Sequence, residues 1–182
     1  RSLVRIVWQL GALDAALDSA PPSSCPLVSP PPPPPVLPAP CRRLVGLAAL
    51  AAGGMRLQPV AWNSSVLEIK RRAEELSQRS FNSVLLNLYR DGMDSVAWHA
   101  DDEAELGEDP IIASVSLGAE RPFQLKSKSS QRPEKHQIWL KSGSILVMGK
   151  GIQSSWLHQL PKVKSLKDAR INLTFRQVRK RA

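Results

Sequence analysis

From Ser83 onward the sequence is divided into eight short stretches rich in Val, Ile, Leu and aromatic residues, and this texture limits the fold more than any other feature. The stretches are Ser83–Tyr89, Val96–His99, Ile111–Leu117, Pro122–Lys126, His136–Leu140, Ile145–Met148, Ser155–His158 and Ile171–Val178. Turn-forming residues separate them, among them Asp91-Gly92, Gly107, Gly118 and Gly143. Ahead of them, Val66, Ile69, Ala73 and Leu76 recur at helical spacing, and Asn63 or Ser64 can cap the first turn. The pattern predicts a helix over about Ser64 to Ser77 followed by evenly spaced strands. It reads as a mainly β protein with a flanking helix, closed or two-sheeted, of which the jelly roll is one form.

The first 58 residues have a different texture. Eleven of the sixteen prolines fall between Pro21 and Pro40, with an unbroken run from Pro30 to Pro35. Such a run favours extended polyproline II and cannot close a core. The stretch Leu44 to Met55 is rich in Ala, Gly and Leu but is far short of the roughly twenty apolar residues a membrane span needs. Five Arg against two acids in the first sixty residues resemble a transit peptide in charge. The polyproline run spoils the amphipathic helix such a peptide uses. Residues 1–58 are therefore read as a disordered leader and 59–182 as the folded domain.

Cys25 and Cys41 are the two cysteines, which gives neither a disulfide framework nor a zinc-ligand spacing. Net charge is +9, and from Pro161 onward eight Lys or Arg face one acid, Asp168. A basic surface attracts phosphate backbones by counterion release, although charge runs are commonly only solvated faces.

Two segments carry chemistry. In Arg170-Ile171-Asn172-Leu173-Thr174-Phe175-Arg176, strand alternation puts Arg170, Asn172, Thr174 and Arg176 on one face. Two arginines leaning inward from one strand can bracket a small dianion, since the guanidinium fork meets carboxylates bidentately. An ordinary surface strand with its polar face in water is the alternative. In Trp98-His99-Ala100-Asp101 a His and a carboxylate sit two apart and project the same way from an extended segment. His158, on an apolar segment, can add a second imidazole, whereas His136 lies in a charged stretch and reads as solvated. Two His and one carboxylate on one face of a metal leave positions open, the arrangement of non-haem Fe(II) oxygenases.

Taken in order, Asn87-Leu88-Tyr89, Trp98-His99-Ala100-Asp101, Ser114 to Gly118, Gly143 to Met148, His158 and Arg170 to Arg176 resemble the catalytic core of the AlkB family of 2-oxoglutarate-dependent dioxygenases. The match runs from about Pro59 to Val178. The resemblance implies a double-stranded β-helix core and oxidative demethylation of N-alkylated bases in DNA or RNA. It implies that His99, Asp101 and His158 hold Fe(II) and that Arg170, helped by Tyr89, grips the distal carboxylate of 2-oxoglutarate. It further implies that Arg176 pairs with the carboxylate beside the keto group, with Asn87 and Asn172 hydrogen-bonding nearby. Glu103 matches an acidic position facing the damaged base, and equally reads as a solvated acid in the run Asp101-Asp102-Glu103.

The resemblance lapses upstream. Family members carry a recognition lid with aromatic residues ahead of the core, and here only Trp8 and Trp62 precede the helix. Two other readings follow: an oxygenase acting on a protein or small molecule, and a non-catalytic nucleic-acid-binding variant. A monomer is the default expectation, no membrane association is indicated, and the nucleus fits a basic repair enzyme, with a plastid or mitochondrion as alternatives.

Overall fold

The computed structural model describes residues 4–8, 41–46, 50–52 and 55–179. The helix α1 spans Ser64–Ser77, with the Asn63 side chain accepting from the Val66 N–H at 2.8 Å. That bond satisfies one of the free donors every helix start exposes. All eight expected stretches are strands, their ends shifted by no more than two residues. In chain order they are β5 (Ser83–Tyr89), β6 (Val96–His99), β7 (Ile112–Gly118), β8 (Arg121–Ser127), β9 (Lys135–Leu140), β10 (Ser144–Met148), β11 (Trp156–Leu160) and β12 (Arg170–Arg176). A short helix α2, Ile152–Ser155, leads into β11.

Four further strands precede α1: β1 (Val4–Trp8), β2 (Cys41–Gly46), β3 (Leu50–Ala52) and β4 (Met55–Leu57). These stretches were expected to be disordered leader. Instead β1 pairs with β10 and β2 pairs with β5, both antiparallel, while β3 and β4 pair with each other. The reason is visible at Leu44 and Val45, which are buried on opposite faces of β2. Val45 packs with α1, and Leu44 packs with Leu106 and Val178. A strand buried on both faces shows no alternation, so a six-residue one in an Ala/Gly/Leu-rich setting carries no period to read. The polyproline run and Cys25 lie outside the described residues.

The strands form a six-stranded antiparallel sheet in the order β1-β10-β7-β12-β5-β2 and a four-stranded one in the order β6-β11-β8-β9. Ile112, Leu146 and Met148 of the larger sheet pack with Phe123, Leu125 and Leu140 of the smaller. The two sheets therefore face each other, as in a jelly roll. On the outer face of the larger sheet, Val66, Ile69 and Ala73 of α1 cover Val84, Ala113, Val115, Leu173 and Phe175. Trp62 packs beside this cluster, with Lys70 5.7 Å from its ring centre.

Helix α1 does not reach the far end of that face. Ile171 and Leu88, register partners on β12 and β5, remain 41% and 37% exposed. Phe175→Ala is accordingly expected to cost about 3–5 kcal/mol in urea denaturation, as for large aromatic truncations in cores. Ile171→Ala, on the same strand face but uncovered, should stay within about 0.5 kcal/mol of the parent.

Candidate active site

The larger sheet turns its polar alternation inward. Arg170, Asn172, Thr174 and Arg176 of β12 are all buried, which excludes a surface strand with its polar face in water. Their side chains form a chain of hydrogen bonds. Arg170 Nη2 donates to Ser116 Oγ and Asn172 Oδ1, each at 2.8 Å, and Asn172 Nδ2 donates to Thr174 Oγ1 at 2.7 Å. Ser114 Oγ also donates to Asn172 Oδ1 at 2.9 Å. β7, between β10 and β12, thus contributes serines at alternate positions to meet the arginine strand. Asn87 and Tyr89 stand beside them on β5, in register with Asn172 and Arg170.

Arg170 is 2% exposed, and among the described residues no carboxylate lies within ion-pair distance of it. Burial lowers its guanidinium to about 10, against the opposing influence of Tyr89, so it remains a cation at neutral pH. Its Cζ lies 5.3 Å from the centre of the Tyr89 ring. Arg170 Nε is buried with no hydrogen-bond partner, as are Arg176 Nε and Nη1 and Asn87 Oδ1. Buried donors at both ends of β12 left without acceptors form a cradle suited to an acid with two carboxylates.

The smaller sheet supplies the histidines. His99 on the edge strand β6 and His158 on β11 are direct register partners, with ring centres 4.2 Å apart. Asp101 follows just past the end of β6, and each of the three offers a ligand atom within 4.8 Å of the others. Gln153 on α2 fixes the position of Asp101, its side-chain oxygen accepting the Asp101 backbone N–H at 2.9 Å. His99 Nδ1 lies 2.8 Å from the Ala97 carbonyl, which can only accept. Nδ1 is therefore the donor, which leaves Nε2 as the nitrogen placed to meet a metal.

Charge in the triad is settled by its neighbours. Burial would push the Asp101 carboxyl up. The Arg176 guanidinium, with His158 and His99 beyond it, outweighs burial and holds the carboxyl below its usual range. Arg176 Nη2 donates to Asp101 Oδ1 at 2.5 Å, linking the two sheets. Burial lowers His158 to about 4 despite Asp101 Oδ2 at 3.8 Å, so this imidazole is neutral at pH 7. The neutral His158 imidazole, a second imidazole at His99 and an ionised carboxylate make a donor set that fits a divalent metal.

All nine residues singled out from the sequence line one cavity of about 640 Å³: Asn87, Tyr89, His99, Asp101, Glu103, His158, Arg170, Asn172 and Arg176. Glu103 is half-buried, and burial raises its carboxyl above the ordinary range, so it is not a solvated acid. Its Oε2 has no partner. His136, in contrast, sits away from the cavity near Glu134, its side chain 57% exposed.

Four residues have roles that the sequence alone did not assign. Gln153 acts across 52 positions, a distance at which nothing local points to Asp101. Ser114 and Ser116 were legible in principle, as small polar residues at strand period. Arg121 is fully buried, donating to the carbonyls of Asp91, Asp94 and Pro161. It thereby ties the loop entering β6 to the loop leaving β11 and stands 5.9 Å from the Tyr89 ring centre.

The state of His158 makes stability pH-dependent. Its folded value lies below the ordinary 6.5, so the unfolded chain binds more protons between pH 6.5 and 4. The metal-free protein should lose stability as pH falls through that window, seen as a falling Tm, and His158→Gln should flatten the fall.

The geometry agrees with comparisons to known proteins. Residues 50–176 match the family model described as the 2OG-Fe(II) oxygenase superfamily. Over 124 residues the chain is 44% identical to alpha-ketoglutarate-dependent dioxygenase alkB homolog 3 of Bos taurus, covering 64% of this chain and 43% of that protein. It is 40% identical over 157 residues to the DNA oxidative demethylase ALKBH2 of Arabidopsis thaliana, covering 73% of this chain and 50% of that protein. The chain thus spans about half the length of the curated relatives it matches. The solved structure of OsALKBH1 shares the fold, with a TM-score of 0.55 at 19% identity, covering 75% of this chain and 77% of that one. With the matched region taking in both histidines, the aspartate and the arginine strand, the chain belongs to the 2OG-Fe(II) oxygenase superfamily, among its AlkB-type members.

Proposed function

We propose that the protein removes alkyl groups oxidatively from base nitrogens of DNA or RNA, using Fe(II), O₂ and 2-oxoglutarate. The observation that carries this reading is the placing, in one cavity, of a two-histidine, one-carboxylate triad and a buried arginine that has no carboxylate partner among the described residues. His99, Asp101 and His158 hold the iron. Bound there with 2-oxoglutarate and O₂, the iron supplies the oxidation that hydroxylates the alkyl carbon, and the products are succinate, CO₂, formaldehyde and the restored base.

The chain's own residues position and shield this chemistry. Arg170 takes the distal carboxylate of 2-oxoglutarate through its unpartnered Nε, with Tyr89 beside it. Arg176 spends Nη2 on Asp101 and keeps Nε and Nη1 for the carboxylate next to the keto group. Asn87 and Asn172 complete the polar wall between them. Glu103, also lining the cavity and with a raised carboxyl, faces the base and can donate or accept a hydrogen bond there.

A base reaches such a cavity only from a single strand or after flipping out of a duplex. The net charge of +9 suits a polyanionic partner. Among the described residues no helix is long and apolar enough to cross a membrane. The protein acts as a monomer, and the nucleus is its place of action. A leader working as a transit peptide would place it in a plastid or mitochondrion.

Mass spectrometry of a methylated single-stranded oligonucleotide incubated with the protein, Fe(II), ascorbate and 2-oxoglutarate tests the reading. The methyl group should be lost with the parent and retained with His99→Ala. Succinate formed with the methyl retained would move the substrate to a protein or small molecule. Neither product forming would leave a non-catalytic binder.

A further inference from the structure

The outer face of the smaller sheet has no part in the cavity chemistry, yet its composition is unusual for a solvated sheet face. Alternation turns Phe123, Leu125 and His158 inward, so Gln124, Lys126 and Gln159 project outward. The strands β6, β11, β8 and β9 contain no Asp or Glu at all. Across three of them runs a ladder of amides. Gln159 Nε2 donates to Gln124 Oε1 at 2.6 Å, and Gln124 Nε2 donates to Gln137 Oε1 at 2.7 Å. Each amide uses one N–H and one lone pair at most in each bond, which leaves further donors and acceptors directed at solvent.

Aromatic rings flank the ladder. On one side Lys126 Nζ stands 4.6 Å from the centre of the Trp98 ring, and Lys135 lies opposite Lys126 in register. On the other side Trp139, opposite Pro122, is 49% exposed. A tryptophan left half in water at one end of the face, and lysines at the other with no acid on these strands to pair them, suit an anionic partner that also carries flat apolar surfaces. A phosphodiester strand with unstacked bases meets both requirements. The three gaps between four strands span roughly 14 Å, enough for several nucleotides. β6 is the edge strand, and Trp98 and Gln159 also border the cavity. A strand with one base in the cavity can therefore pass over β6 onto this face without crossing another of the described elements.

We propose that the outer face of the four-stranded sheet is a docking platform for the single-stranded nucleic acid that flanks the target base, with Trp139 stacking on a base and Lys126 and Lys135 meeting phosphates. The proposal rests on the demethylase reading, and the test separates the two. Binding of an unmethylated single-stranded DNA of about 15 nucleotides, a length near the upper site size of one binding domain, is followed by fluorescence anisotropy. Demethylation of a methylated trinucleotide, too short to reach Trp139 from the cavity, is followed by mass spectrometry.

Trp139→Ala should weaken the long oligonucleotide about tenfold, within the range for one lost base stack. Trp139→Phe should recover most of the affinity. The double variant Lys126→Gln/Lys135→Gln should lower the slope of log K against log salt by about 1.4, or 0.7 for each lost phosphate contact on a single strand. Turnover of the trinucleotide by the Trp139 variants should match the parent. Affinity and salt slope unchanged in these variants would overturn the platform, as would a parallel loss of trinucleotide turnover by the Trp139 variants. A parent protein that binds the long oligonucleotide through this face but leaves the trinucleotide methylated would overturn the demethylase reading alone.

Discussion

Arg170 is a buried cation with no carboxylate beside it among the described residues, and the interior of the protein is arranged around that fact. The effective penalty for burying an ion is on the order of several kcal/mol even after relaxation. Ser116 and Asn172 offset part of it by accepting from one end of the guanidinium, and the face of Tyr89 offsets more. Nε is left over. A fold that selection had shaped only for stability would fill this position with an apolar residue, since such replacements are often neutral or stabilising. The unmet charge suits a binding role, and its complement would be an anionic group small enough to enter the cavity between the two sheets.

The two sheets divide the work. The smaller one provides paired imidazoles on neighbouring strands, where register alone sets their separation. The larger one provides the cations. Asp101 and Arg176 join the two across the cavity, both nearly inaccessible, and each explains the other: the guanidinium keeps the carboxylate ionised, and the carboxylate orients the guanidinium so that two of its nitrogens stay free. Breaking a buried pair of this kind costs about 3–5 kcal/mol, so the link also holds the triad to the arginine strand. Gln153 and Arg121 do similar work through the backbone, the first on Asp101 and the second on the loops flanking both histidine strands.

Much of this was legible in the sequence because it is written at short period. The Arg-x-Asn-x-Thr-x-Arg alternation declares one strand face, His-x-Asp declares one extended segment, and the stripe through Val66, Ile69 and Ala73 declares one helix. What escaped was written at long range or without a period. β2 is buried on both faces and borders a low-complexity stretch, so neither alternation nor composition marks it. Gln153 and Arg121 make their contacts with backbone atoms dozens of positions away, and a backbone N–H or carbonyl has no sequence signature. Trp62 shows the reverse: an aromatic in the right place for a lid is, in three dimensions, part of the packing around α1.

Calorimetric titration of 2-oxoglutarate into the Mn(II)-loaded protein, alongside Arg170→Gln, tests the central claim most directly. The account predicts one 2-oxoglutarate bound per chain, with the variant weakened at least about 30-fold, the lower end of what losing one partner of a buried charge pair costs. Mn(II) affinity should be unchanged, because Arg170 touches none of the three ligand residues. Equal 2-oxoglutarate affinity in parent and variant would contradict the account, since the buried cation would then have no ligand to explain it.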